Sequence, residues 1–93
     1  MPIQITAVRL SGGTAHEHIV HPWWTNPATG ATGDNTRAQI ITWIEDEGGQ
    51  AFTRDAGGRQ AAVAVVTPPH SVKYLRTHAD GVWTDNLLAL PRR

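Results

Sequence analysis

Three groups of residues carry types and spacings that could do chemistry. The first is His16, His18 and His21. Side chains two apart on a strand share a face, so His16 and His18 are weak candidates to chelate one metal ion. Imidazole suits zinc, copper, nickel and iron. A structural site normally needs four ligands, and only His70, His78 and Glu17 are obvious recruits, with Glu17 facing away on a regular strand. The competing reading is a polar strand edge with ordinary histidines, and the expectation is no bound metal and no cofactor.

The second group is aromatic: Trp23, Trp24, Trp83 and Tyr74. Trp23 and Trp24 are neighbours, so on a strand they point to opposite faces. One enters the core, and the other is a platform for a base, a sugar or a peptide, or is covered by another segment. The third group is the polar C-terminal set Tyr74, Arg76, Asp80, Asp85 and Asn86. Tyr74 and Arg76 share a strand face, and Arg76 can pair bidentately with a carboxylate or phosphate. Asp80 and Asn86 also read as plain turn and cap residues.

A fourth feature is weaker. Gly30-Ala31-Thr32-Gly33-Asp34-Asn35-Thr36 runs into a helix, where backbone N–H groups can hold a phosphate. The phosphate-loop pattern fails, because no lysine precedes the hydroxyl residue. Asp34 also places negative charge where the anion would sit. A loop with a good helix cap is the better reading. There is no G-x-S-x-G nucleophile, and no carboxylate pair stands out as acid and base. Nothing positive points to an enzyme.

The elements that must position these groups come from one short chain. Its 93 residues are read as a single domain, 1–93. With 40% hydrophobic residues and four tryptophans, a folded core is expected. The net charge is zero, which argues against nucleic-acid binding driven by a basic excess. The halves differ, however. Residues 1–49 carry Arg9 and Arg37 against Glu17, Asp34, Glu45, Asp46 and Glu47, whereas residues 50–93 carry six basic residues and three acidic ones. Cysteine is absent, which favours a reducing compartment. Met1–Val8 lacks the basic start and apolar stretch of a signal peptide, and no run approaches a membrane span. A cytoplasmic, soluble domain is expected.

Ile3–Leu10 alternates and predicts a strand. Ser11-Gly12-Gly13-Thr14 is a turn, and His16–Thr25, rich in β-branched and aromatic residues, predicts the second strand of a hairpin. Asn26–Gly33 is loop. Thr36–Glu47 predicts the one helix, with Ile40, Ile41 and Ile44 as its core stripe and Trp43 on the flank. Asp34, Asn35 and Thr36 are possible N-caps, Thr36 and Gln39 fit a capping box, and Gly48-Gly49 ends the helix. The acidic triplet Glu45-Asp46-Glu47 sits badly at the helix C-terminus, and compensation from Arg54 or Arg59 is expected. Gln50–Arg54 and Arg59–Thr67 predict a second hairpin around Asp55-Ala56-Gly57-Gly58. Ala61–Val66 is apolar on both faces and reads as the central strand. Lys73–His78 predicts a fifth strand, Asp80-Gly81 a turn, and Asn86–Leu90 a short helical turn tucked against the core.

The C-terminal residues Val65-Val66-Thr67, Lys73-Tyr74-Leu75-Arg76-Thr77, Asp80-Gly81, Asn86-Leu87 and Leu90-Pro91 resemble the closing pattern of a bacterial and phage family, domain of unknown function 3892. Tyr74, Leu75, Arg76, Asp80, Gly81, Asn86, Leu87 and Pro91 match its motif. Pro68-Pro69-His70-Ser71-Val72 departs from the shorter turn usual before the Tyr-Leu-Arg strand, and Trp23-Trp24 looks like a subgroup elaboration. The resemblance implies the fold and the cellular setting, and it implies no activity.

The resulting expectation is an α+β domain: a mostly antiparallel sheet of about five strands in the order β-β-α-β-β-β, one helix on one face, and a short C-terminal helical turn. The favoured function is a binding or accessory module that recognises a partner protein or a small anionic ligand. Its candidate ligand-binding residues are Tyr74, Arg76, Trp23, Trp24, Trp83, Asp80 and Asn86. The alternatives are a metal-binding protein or metal-dependent enzyme using His16 and His18, a weak nucleic-acid or nucleotide binder on the basic half, and a structural or interaction subunit. A homodimer or a partner protein is expected ahead of nucleic acid, and no membrane partner.

Overall fold

The computed structural model describes residues 2–79 and 81–93. The protein folds as an α+β domain with one helix against one sheet. The strands are β1 (Ile3–Leu10), β2 (Ile19–Thr25), β3 (Thr32–Asp34), β4 (Ala51–Arg54), β5 (Gln60–Val66), β6 (Tyr74–Ala79) and β7 (Val82–Thr84), and helix α1 spans Arg37–Glu47. The sheet has seven strands in the order β3-β2-β1-β4-β5-β6-β7. β1 and β4 are parallel, and every other pairing is antiparallel.

The expectation of about five antiparallel strands is therefore corrected to seven strands in a mixed sheet. The two additional strands, β3 and β7, are three-residue edges, too short for alternation to show in sequence. The parallel pair follows from connectivity. The chain leaves β1, forms the β2 and β3 hairpins, and returns through α1 on the far side of β1, a crossover that a helix commonly makes.

Helix α1 starts and stops where its sequence dictates. The Thr36 hydroxyl accepts from Gln39 N at 3.2 Å, and Gln39 Oε1 accepts from Thr36 N at 3.0 Å, which closes a reciprocal box. Gly48 ends the helix with φ +66°, a left-handed conformation that glycine adopts without a Cβ clash. Ile40 and Ile41 are buried with Ile3, Ala51, Val63 and Leu75, and Ile44 and Trp43 pack at the margin. The acidic end is relieved by Lys73, whose Nζ reaches both Glu45 oxygens at 2.8 and 3.1 Å. Arg54 and Arg59, the expected partners, do not do this. Lys73 lies just before β6, beside the helix end in space and far from it in sequence.

Two further expectations are corrected. Residues His16–His18 form a single 3₁₀ turn, and β2 begins at Ile19. The His18 ring folds back over Gly13, where a side chain would collide with it, and its Nδ1 accepts from Ala15 N at 3.2 Å. That local bond competes with strand pairing. Strand β5, expected as the central strand, lies one place off the centre. Ala61 and Val63 are buried while Ala62 is exposed, and the middle strand of the sheet is β4.

The C-terminal segment closes the core. After Asp85, turns of the chain place Leu87 in the interior at 1% exposure. Val8 N then donates to Pro91 O, and Arg93 N donates to Val8 O, both at 3.0 Å. Four-residue β4 pairs only with the beginning of β1, so the tail satisfies β1 further along. Truncation of such a buried leucine typically costs about 2–5 kcal/mol. Leu87→Ala is expected to lower the unfolding free energy by that amount, read as a lower urea midpoint at an unchanged m-value, whereas Leu88→Ala, only partly buried, loses less.

Candidate functional site

A concavity opens between α1 and β2. It is a cleft of about 750 Å³ lined by Ile3, Trp24, Asn26, Asn35, Gln39, Trp43 and Glu47 among others. Two indole rings contribute to its walls. Trp24 packs across Gly33, and Trp43 packs across Gly49; a Cβ at either glycine would strike the ring. Both rings are half-buried. They rest on backbone, which limits their rotamers while leaving part of each ring open.

A chain of hydrogen bonds joins this lining to the helix cap. Trp24 Nε1 donates to Asn35 Oδ1 at 2.8 Å, and Asn35 Nδ2 donates to Gln39 Oε1 at 3.2 Å. The same Gln39 oxygen accepts from the cap nitrogen. Gln39 Nε2 has no partner among the described residues. The cleft thus combines apolar ring faces, side-chain amides and one carboxylate, Glu47, and its lining includes no basic side chain. Of this lining, Trp24 is among the candidate residues expected from the sequence. Trp43, Asn35 and Gln39 were legible only as helix flank and cap.

The expected sites disperse over the molecule. Trp23 points to the face opposite Trp24, as adjacent strand residues must. The guanidinium carbons of Arg9 and Arg93 lie 5.3 and 5.1 Å from its ring centre, within cation–π range. His21 packs against the same ring at 4.8 Å and holds Asp34 through Nε2 at 2.6 Å. Trp83, 46% exposed, sits on edge strand β7 with His78 edge-on at 5.3 Å. Tyr74 is half-buried beside Val66. Asn86 borders a small depression with Thr53 and Leu90. Asp80 lies outside the described residues.

Arg76 is largely committed within the fold. Its Nε donates to Thr84 O at 3.3 Å, and its Nη2 meets Asp85 Oδ1 at 3.2 Å. His16, 8% exposed, approaches the same Asp85 oxygen at 3.7 Å, too far for a hydrogen bond. Its Nε2 is buried without a partner. His16 and His18 share a 3₁₀ turn rather than a strand face. Among the described residues, no group of three or more histidine, aspartate or glutamate side chains is arranged to hold a metal. No helix among them is long and apolar enough to cross a membrane.

A seven-stranded mixed sheet backed by one helix, with an aromatic-lined cleft between helix and strand, defines the class: a small α+β domain. The chain belongs to the family described as Protein of unknown function (DUF3892), whose model matches residues 4–91. No curated protein and no solved structure matches it. The structure explains the motif that carries the resemblance as architecture. Leu75 and Leu87 are core, Arg76 ties β6 to the segment after β7, Gly81 turns with φ +79°, and Pro91 accepts from β1.

The His16 site has a measurable consequence. Burial, reinforced by the Arg76 cation, lowers its pKa below the ordinary 6.5, and the Asp85 and Glu17 carboxylates oppose this only in part. The unfolded chain therefore takes up this proton first as pH falls. The His16 contribution to stability is intact well above pH 6.5 and is lost as pH descends through that value toward the lowered folded pKa. Urea midpoints measured across this range are expected to drop in the native protein and to drop less in His16→Gln, which cannot titrate.

Proposed function

We propose that this protein is a ligand-binding module, and that its ligand is a neutral, hydroxyl-bearing ring of the sugar class held in the α1–β2 cleft. The observation that carries the reading is the pairing of Trp24 and Trp43 with Asn26, Asn35 and Gln39 around one recess. Indole faces bind flat apolar surfaces, and side-chain amides can donate to and accept from vicinal hydroxyls. Pockets that combine apolar walls with a few placed polar groups are the usual form of small-molecule sites.

The charge of the lining selects among ligands. Glu47 is its sole ionisable group, so a phosphate or carboxylate would meet repulsion there. The small anionic ligand expected from Arg76 and Tyr74 is disfavoured for another reason. The Arg76 guanidinium already has Asp85 and Thr84 O as partners, and an incoming anion would have to displace a carboxylate.

The test is a titration of tryptophan emission with a panel of neutral monosaccharides, disaccharides and nucleosides. At least one is expected to produce a saturable change. Ala38, exposed on α1 at the margin of the cleft, is the place to obstruct it. Ala38→Trp is expected to weaken binding at least tenfold while the thermal midpoint stays within a few degrees. A panel without any saturable response, or equal binding by Ala38→Trp, overturns the proposal.

A further inference from the structure

Among the described residues, no helix or strand covers the face of the sheet opposite α1, and its register places one cross-strand row along it. Gln4 pairs with Phe52, Phe52 with Ala62, Ala62 with His78, and His78 with Trp83. Directly paired residues point to the same side of a sheet, so Phe52, Ala62, His78 and Trp83 form a continuous line. Ala62 and Trp83 are exposed, and Phe52 and His78 are half-exposed. Ala62 keeps the floor low between Phe52 and His78. Beside it is a depression of about 600 Å³ bordered by Phe52, Ala62, Gln60 and Arg54.

Charge divides between the two sides of the domain. The acidic triplet Glu45-Asp46-Glu47 is on α1, against the covered face. On the open face, Arg54 lies over the Phe52 ring at 5.7 Å, and Arg9 and Arg93 lie over Trp23. The carboxylate that strand register adds there is Asp34, already held by His21. A net charge of zero thus conceals an aromatic surface with arginines on its rings.

We propose that this open face binds single-stranded nucleic acid, with bases stacked on Phe52 and Trp83 and the backbone neutralised by Arg54, and by Arg9 and Arg93 further across. Stacking platforms on sheet faces accept any base, because every base has a flat π surface, and arginines beside them meet phosphates. Phe52 and Trp83 are three strand spacings apart, about 14 Å, a span that needs an extended strand rather than one nucleotide. A duplex hides its base faces and gains little here. The site is distinct from the α1–β2 cleft and does not depend on it.

The experiment is fluorescence anisotropy with a labelled short oligouridylate and the matching oligothymidylate at low and moderate salt, with duplex DNA as competitor. Saturable binding that weakens as salt rises is expected, with poor competition by duplex. The uridylate and thymidylate arms tell whether the sugar matters. Phe52→Ala and Trp83→Ala are each expected to weaken binding about tenfold, and Arg54→Gln to reduce the salt slope by about one. Ala38→Trp, which obstructs the cleft, is expected to leave oligonucleotide binding unchanged. Thermal midpoints of all four variants accompany the titrations, and Trp83→Ala, at an exposed edge, is the variant least able to disturb folding. No saturable binding at low salt overturns the proposal. So does binding that Phe52→Ala and Trp83→Ala leave intact, or that duplex competes equally. A concentration-dependent dimer dissociated by the same two substitutions would assign the face to a second copy and overturn it as well.

Discussion

The fold depends on satisfying both edges of β1. Ile5 and Val8 are fully buried, and buried backbone groups must find hydrogen-bond partners. One edge is met by β2 along its length. The other is met in two pieces, by β4 at Ile3 and Gln4 and by the C-terminal segment at Val8. The first piece requires the crossover through α1, which sets the helix over the core. The second requires the chain after β7 to return, which brings Leu87 inside and Arg93 up to Trp23. The cleft and the open face are both by-products of completing this one strand.

The sequence was readable where the determining chemistry is local. The Thr36–Gln39 box and Gly48 set the helix limits to within a residue, and the Asp55–Gly58 turn set the β4–β5 hairpin. Adjacency alone sent Trp23 and Trp24 to opposite faces. What escaped depends on distant contacts. Three-residue β3 and β7 exist because β2 and β6 offer free edges, and nothing inside them announces a strand. The parallel β1–β4 pair requires knowing where the chain returns. Lys73 relieves Glu45 across 28 positions, a partnership that helix rules cannot name.

The candidate sites were readable to a similar degree. Tryptophan and arginine stood out as residue types, but where the fold groups them did not. Arg76 looked like a free anion receptor, and the structure spends it on Thr84 and Asp85. Asn35 and Gln39 looked like cap residues and are also cleft lining, because the loop before α1 passes over Trp24. Phe52 attracted no notice as a solitary ring in a short strand. It becomes part of a surface only when register aligns it with Ala62, His78 and Trp83.

The bridge between Val8 and the final residues also bears on how the molecule assembles. Strand β1 has one partner, at Val8, that lies more than about eighty positions further along the chain. Such pairing closes nearly the whole chain into one loop, and distant pairings of this kind slow folding because their entropy is spent before their contacts form. Until that pairing forms, Val8 and the hollow filled by Leu87 stay open to solvent. Closing β1 and seating Leu87 therefore belong to one late step of folding, set by the most distant contact in the domain.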